Sequence, residues 1–187
     1  SRLPDAECCH LRPDVLHGVV DRQARRDDAA RRVDIHCDFL LRIVRFKEQR
    51  KAAIVGEFAA QIMLDLPSKI IKDASRQEPV DDILTILRAT QPKVVYTHNL
   101  ADKHDTHVGV TLRVIEALRK LSPAERPERV VGCEVWRALD WMVDSDKVTM
   151  DLSRHENLQF ALLGVFDSQI VGGKRYDLAS MGRRRAN

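Results

Sequence analysis

Three histidines, two aspartates and an asparagine crowd one short stretch of the chain, Pro92-Lys93-Val94-Val95-Tyr96-Thr97-His98-Asn99-Leu100-Ala101-Asp102-Lys103-His104-Asp105-Thr106-His107. Neutral imidazole suits zinc, and a nearby carboxylate can orient the ring and raise its basicity. His104 and His107 are three apart, so on the first turn of a helix they project from one side. A helix N-terminus also favours developing negative charge. The chemistry these residues support is metal binding or acid–base catalysis. The competing reading is a solvated polar loop, because H-x-x-H is short and matches often by accident.

Such a loop needs elements to hold it. Val94-Val95-Tyr96-Thr97 is β-branched and aromatic and predicts a buried strand. After the loop, Val108, Leu112, Ile115, Leu118 and Leu121 mark an amphipathic helix. In open α/β sheets, ligands sit beyond the carboxyl ends of the strands, which is where this loop falls.

Elsewhere the pattern alternates in the same way. Phe46, Ala53, Ile54, Phe58 and Ile62 predict a helix over 43–60, and Ile62-Met63-Leu64-Asp65-Leu66 a short strand stopped by Pro67. Pro79 with Ile83, Ile86 and Leu87 predicts a helix over 79–90. Residues 130–135 and 148–152 read as further strands. Ser153, with Glu156 three residues later, reads as the capping box of another helix. Helices alternating with short apolar strands predict an α/β domain, a mainly parallel sheet flanked by helices. Residues 1–41 differ: apolar positions are sparse and charge is dense, so they read as an atypical, weakly structured segment with a helix near 21–32.

Composition sets the outer limits. The chain has 187 residues, a length for one domain at roughly 150 residues per domain. Its 31 Lys and Arg against 28 Asp and Glu give a formal charge of +3, which does not point to nucleic acid or an acidic membrane surface. No apolar run approaches the ~18 residues of a membrane helix, and Ser1-Arg2-Leu3-Pro4-Asp5 has no signal-peptide core. Cys8, Cys9, Cys37 and Cys133 lack the repeated spacing of a disulfide framework, so a reducing, cytoplasmic setting is expected. The missing initiator Met and the abrupt ending in Arg183-Arg184-Arg185-Ala186-Asn187 read as a piece of a longer protein. That arginine run reads as helix surface or as a subunit contact in a homo-oligomer.

The central stretch resembles the second signature of the PIG-L/LmbE-like zinc deacetylases. That family has a hydrophobic strand, Thr-His-Asn or similar, then His-Pro-Asp-His opening a helix; here Thr97-His98-Asn99 is followed by His104-Asp105-Thr106-His107. Arg45-x-x-Glu48-x-x-x-Ala52-Ala53 resembles the family's Arg-x-x-Glu helix, and Leu64-Asp65-Leu66-Pro67 its following strand end. Residues 155–187, with Asp167-Ser168-Gln169, resemble its C-terminal helix and Ser-Gln element. The resemblance covers about 43–187 and implies a partial LmbE-like, Rossmann-like domain over 42–187.

It also implies roles. His107 matches the metal-binding His, and His104 the His that sits beside the metal and stabilises the oxyanion. His104 and Asp105 are the expected catalytic residues, and Arg45, Asp65, Asn99 and Asp102 the expected substrate-binding ones. The implied activity is zinc-assisted removal of an N-acetyl group from an N-acetylglucosamine-type conjugate. Two departures stand out. Thr106 and Asp105 replace the family's Asp and Pro, which shifts or removes a carboxylate behind the metal. The N-terminal His-Pro-Asp-Asp-Glu motif is absent, and its nearest string is Ile35-His36-Cys37-Asp38-Phe39. The chain is therefore expected to bind zinc weakly. A catalytically inactive fragment, an interaction module or a sugar-binding protein on the same scaffold is the alternative.

Other residues have two readings each. Arg45 could hold a hydroxyl or phosphate or pair with Glu48; Asp65 could bind sugar hydroxyls or cap a loop. His155 reads as a surface His. Trp136 and Trp141 could stack on a sugar or pack in the core. Cys8-Cys9-His10 with His17 lacks paired metal spacing, and Gly172-Gly173-Lys174 is a turn without the other residues of a P-loop.

Overall fold

Pro79 near the start of a helix, with Glu78 and Asp81 in its first turn, opens an element whose apolar side supplies much of the core. The computed structural model describes residues 24–171 and 175–186. In chain order its elements are α1 (Ala24–Val55), α2 (Ser68–Lys72), α3 (Glu78–Thr90), β1 (Val94–His98), α4 (Asp105–Arg119), β2 (Arg129–Cys133), α5 (Glu156–Gly164), α6 (Asp167–Ile170) and α7 (Tyr176–Ala186). The class is mixed α/β. The described residues group into two compact units, one of 24–61 with 151–182, the other of 62–150 with the end of α7.

The second unit is a β–α–β arrangement. β1 and β2 pair in parallel, Val94 opposite Arg129 through His98 opposite Cys133, with α4 in the crossover between them. Val80 and Leu87 of α3 pack with Ala117 and Leu121, and Val95 of β1 packs against that cluster. α3 ends at Gln91, whose left-handed backbone (φ 44°) returns its N–H to the Leu87 carbonyl. α2 lies on α4 at Gly109, where a Cβ would stand 3.3 Å from Ile71. The buried Arg113 guanidinium holds the end of α2, donating to the carbonyls of Ile71 (3.1 Å) and Asp73.

In the first unit, Glu48 of α1 is 2% exposed. Its carboxylate accepts the Ser168 N–H at 2.7 Å and the Ser168 hydroxyl at 2.8 Å, at the start of α6. Glu48 is thus engaged by Ser168, where the sequence reading offered Arg45 as its partner.

Helices over 79–90 and after the His-rich loop, and the strands at 94–97 and 130–135, match the expected elements to within a few residues, but the first of these strands, expected to be buried, is only half-buried with Tyr96 exposed. Four expectations are corrected. Residues 62–66 form no strand, because Asp65 takes a left-handed backbone (φ 52°) and Pro67 becomes the N-cap of α2. Residues 148–152 form no strand either; Val148 and Met150 are exposed and no neighbouring strand supplies a ladder. Ser153 does not cap a helix. Its N–H is taken by the Asp151 carboxylate at 2.9 Å, it opens a single 3₁₀ turn, and α5 begins at Glu156. The helix expected over 43–60 instead ends at Val55 and starts at Ala24, running through the helix expected near 21–32. His36 and Asp38 lie on that helical backbone, but their side chains are outside the described residues. Cys8, Cys9, His10, His17 and Gly172-Gly173-Lys174 are also outside them. No helix of the described residues is long and apolar enough to cross a membrane.

Candidate metal centre

The carboxyl end of β1 delivers His98, a turn carries Asp102, and the first turn of α4 carries His107. One ligand atom from each of these three lies within 4.8 Å of the others, so the group could hold a metal ion. Zinc-type donors, two imidazoles and a carboxylate, fit such an ion chemically.

Asn99 builds the turn. Its side-chain carbonyl accepts the Ala101 N–H at 2.8 Å and its amide donates to the Gly132 carbonyl of β2 at 3.1 Å. The same contact needs Gly132, because a Cβ there would stand 3.1 Å from the Asn99 amide nitrogen. Asn99 was expected to bind substrate; both ends of its amide are occupied in fixing the loop.

Asp102 is the centre of the arrangement. Its side chain is fully buried, and its two oxygens accept the His104 N–H at 2.8 Å and meet His107 Nδ1 at 2.9 Å. Burial pushes its carboxyl up. The hydrogen bonds from the His104 N–H, His107 and the Val135 N–H outweigh that and hold it below the usual range. Burial, with His107 and His104 nearby, lowers the pKa of His98, although Asp102 opposes the shift.

The rings form a ladder. His98 stacks on His107 with centroids 4.0 Å apart and planes 3° from parallel, and His104 stacks on His107 at 4.5 Å. Imidazole lone pairs lie in the ring plane, so two rings stacked face to face do not aim at one point. Seating an ion on both His98 and His107 requires one ring to turn.

His104 stands at the N-cap of α4, where its Nδ1 accepts the Thr106 N–H at 3.3 Å. Its proton therefore sits on Nε2. Asp105 is exposed; its carboxylate accepts from Lys72 Nζ at 2.7 Å and from the Thr106 N–H. The Lys72 bond is the largest cause of its depressed pKa. A concavity of about 450 Å³ beside the start of α4 is lined by Lys72, Asp102, Lys103, Asp105, Val108 and Leu112 among others, a volume in the range of ligand sites.

Trp136 is half-buried and nearly parallel to His104 at 6.4 Å, with Lys103 Nζ 4.8 Å from its ring centre. The buried Glu134 holds this loop by accepting the N–H groups of Trp136 (2.7 Å), Arg137 (2.7 Å) and Leu139 (3.2 Å). It does so across two consecutive left-handed residues, Ala138 and Leu139. Trp141 is half exposed, which excludes the core reading for it. His155 is exposed, as a surface His was expected to be.

The structure thus stacks His104 on His107, the pair three apart in the sequence, and sets Asp102, expected as a substrate contact, against the His107 ring. It adds His98, which the sequence reading counted among the loop's histidines but gave no role. The signal was its place at the strand's carboxyl end, the usual ligand position of such sheets. Arg45 lies on α1 in the first unit, and Asp65 sits at a left-handed loop position of the second. The chain matches no protein-family model, no curated protein and no solved structure.

Proposed function

We propose that the chain carries a metal-dependent hydrolase site on an LmbE-like scaffold, and that it removes an N-acetyl group from an N-acetylglucosamine-type sugar conjugate with zinc as the metal. The observation that carries this reading is the convergence of His98, Asp102 and His107 at the carboxyl end of β1. When bound, zinc polarises the acetyl carbonyl and lowers the pKa of a water molecule. His107 and its neighbours would hold the ion. His104 keeps its proton on Nε2, the donor an oxyanion needs. Asp105, the expected catalytic carboxylate, is held ionised by Lys72 on the same helical turn, a pairing that lowers its basicity. The adjacent concavity gives room for a sugar. Asn99 and Asp102 shape the loop beneath it, and Asp65 is the expected substrate contact that lies in the same unit.

The test is zinc stoichiometry of the purified chain after dialysis against buffered zinc, beside His107→Ala, followed by an acetate-release assay. The expected result is close to one zinc per chain, lost in the variant, with acetate released only by the loaded protein. No retained zinc in either protein overturns the reading. A second reading, a sugar-binding or interaction module without hydrolysis, draws support from the His98–His107 stack, whose rings do not aim at a common ion. Sugar binding that survives His104→Ala with no acetate release from either protein would favour it.

A further inference from the structure

The three members of the metal-competent group are not equivalent. Asp102 has its carboxylate buried and taken by two donors, the N–H of His104 and the ring of His107. An ionised carboxylate only accepts, so His107 Nδ1 is the donor at 2.9 Å and carries the ring's proton. That leaves Nε2 of His107 with its lone pair bare. Among the described residues the ring of His98 has stacking contacts and no hydrogen bond, so it can turn without breaking one.

We infer that Asp102 is the positioning residue of the centre: it fixes His107 in the Nδ1–H tautomer and so presents Nε2 to the ion, while His98 is the ring that turns to join it. The inference rests on the metal reading of this site. It also answers the departure at Thr106. The carboxylate missing from the histidine motif is supplied from five residues before His107, on the turn that Asn99 builds. Metal-bound histidines regularly donate their other ring nitrogen to a carboxylate of this kind.

The experiment uses the full chain, labelled with ¹⁵N-histidine, with Asp102→Asn and Asp102→Ala beside it. Asn keeps the size and one acceptor, so it guards against a variant that fails to fold. Long-range ¹H–¹⁵N spectra of the metal-free proteins at pH 8 read the His107 tautomer directly. Nδ1–H is expected in the parent chain, with a shift toward Nε2–H in Asp102→Ala and an intermediate state in Asp102→Asn. Zinc affinity, measured against a chromophoric chelator, is expected to fall about 10- to 100-fold in Asp102→Ala and less in Asp102→Asn. The cobalt(II) absorption spectrum should keep its coordination signature in both. An Nδ1–H tautomer that persists in Asp102→Ala overturns the inference, as does a cobalt spectrum that loses a ligand in Asp102→Asn. A tautomer that follows Asp102 in a chain taking up neither zinc nor cobalt overturns the hydrolase reading and the metal-facing role, yet supports Asp102 as the residue that sets the His107 ring.

Discussion

Two buried carboxylates do similar work in the two units and come to different ends. Glu48 reaches across 120 residues of sequence to take the Ser168 N–H and hydroxyl. Asp102 reaches only five residues, to the His107 ring, while its other oxygen takes the N–H of His104. Glu48 closes a helix start against a distant segment, and the hydroxyl it meets accepts further from the Gln169 amide. Asp102 meets an imidazole that keeps a second nitrogen for other use. The difference teaches that burial and satisfied hydrogen bonds do not separate scaffold from site. The partner that retains unspent chemistry does.

The comparison can be broken by experiment. The largest effect is expected from Glu48→Ala. Removing a buried acceptor that serves two donors should cost about 1–3 kcal/mol of stability, seen as a lower urea midpoint. Zinc affinity should stay within about twofold of the parent chain, since Glu48 acts on the first unit's own packing. A large fall in affinity would mean that the two carboxylates are not independent.

A smaller effect is expected from Gly132→Ala. The new Cβ stands 3.1 Å from the Asn99 amide nitrogen, so the turn must give by a few tenths of an ångström. A cost of about 1 kcal/mol is expected, with a few-fold loss of zinc affinity because the same turn carries Asp102. Unchanged affinity would show that the Asp102–His107 pair holds itself without Asn99. That outcome would sharpen the contrast, with the site then local to six residues.

The smallest effect belongs to a third carboxylate, which sets the baseline for a half-buried one. Glu125 accepts the Ser122 N–H, the main cause of its depressed pKa, and the Ser122 hydroxyl. Its folded pKa lies below its unfolded value of about 4.5, so its contribution is present above that pH and is lost as pH falls through the folded value. Thermal melts of the parent chain and Glu125→Gln should therefore differ slightly at pH 6 and converge as pH falls below the folded value. A gap that persists in acid would mean that the carboxylate's charge is not what matters.

How much of this was legible in the sequence follows from the range of each interaction. The units from α3 through β2 could be read because their signals are local. Pro79 pre-sets a helix start, Val94-Val95 is β-branched, and Val108 to Leu121 keeps one helical face. The expected strands at 62–66 and 148–152 carried the same apolar pattern. They failed because a strand also needs a neighbour, and because Asp65 and Pro67 turn the chain. The Asp102–His107 pair lay within reach of spacing arguments. The role of His98 did not, since H-x-x-H drew attention to His104 and His107 and a strand-end histidine leaves no periodic mark. Glu48 and Ser168 were each singled out as parts of separate motifs. Their contact, 120 residues apart, is set by packing that no local pattern records.

The stacked pair of His98 and His107 gives the metal-free chain a resting state of its own. Face-to-face ring contact is worth about 0.5–1.5 kcal/mol, and an ion that needs His98 turned must first draw on the minor population in which it has turned. For a metal bound as proposed, the expected affinity is the intrinsic affinity multiplied by that population, about three- to fourteenfold weaker for this range of energies. The stack thus acts as a built-in competitor of the ion, present at a fixed effective strength however much metal is supplied.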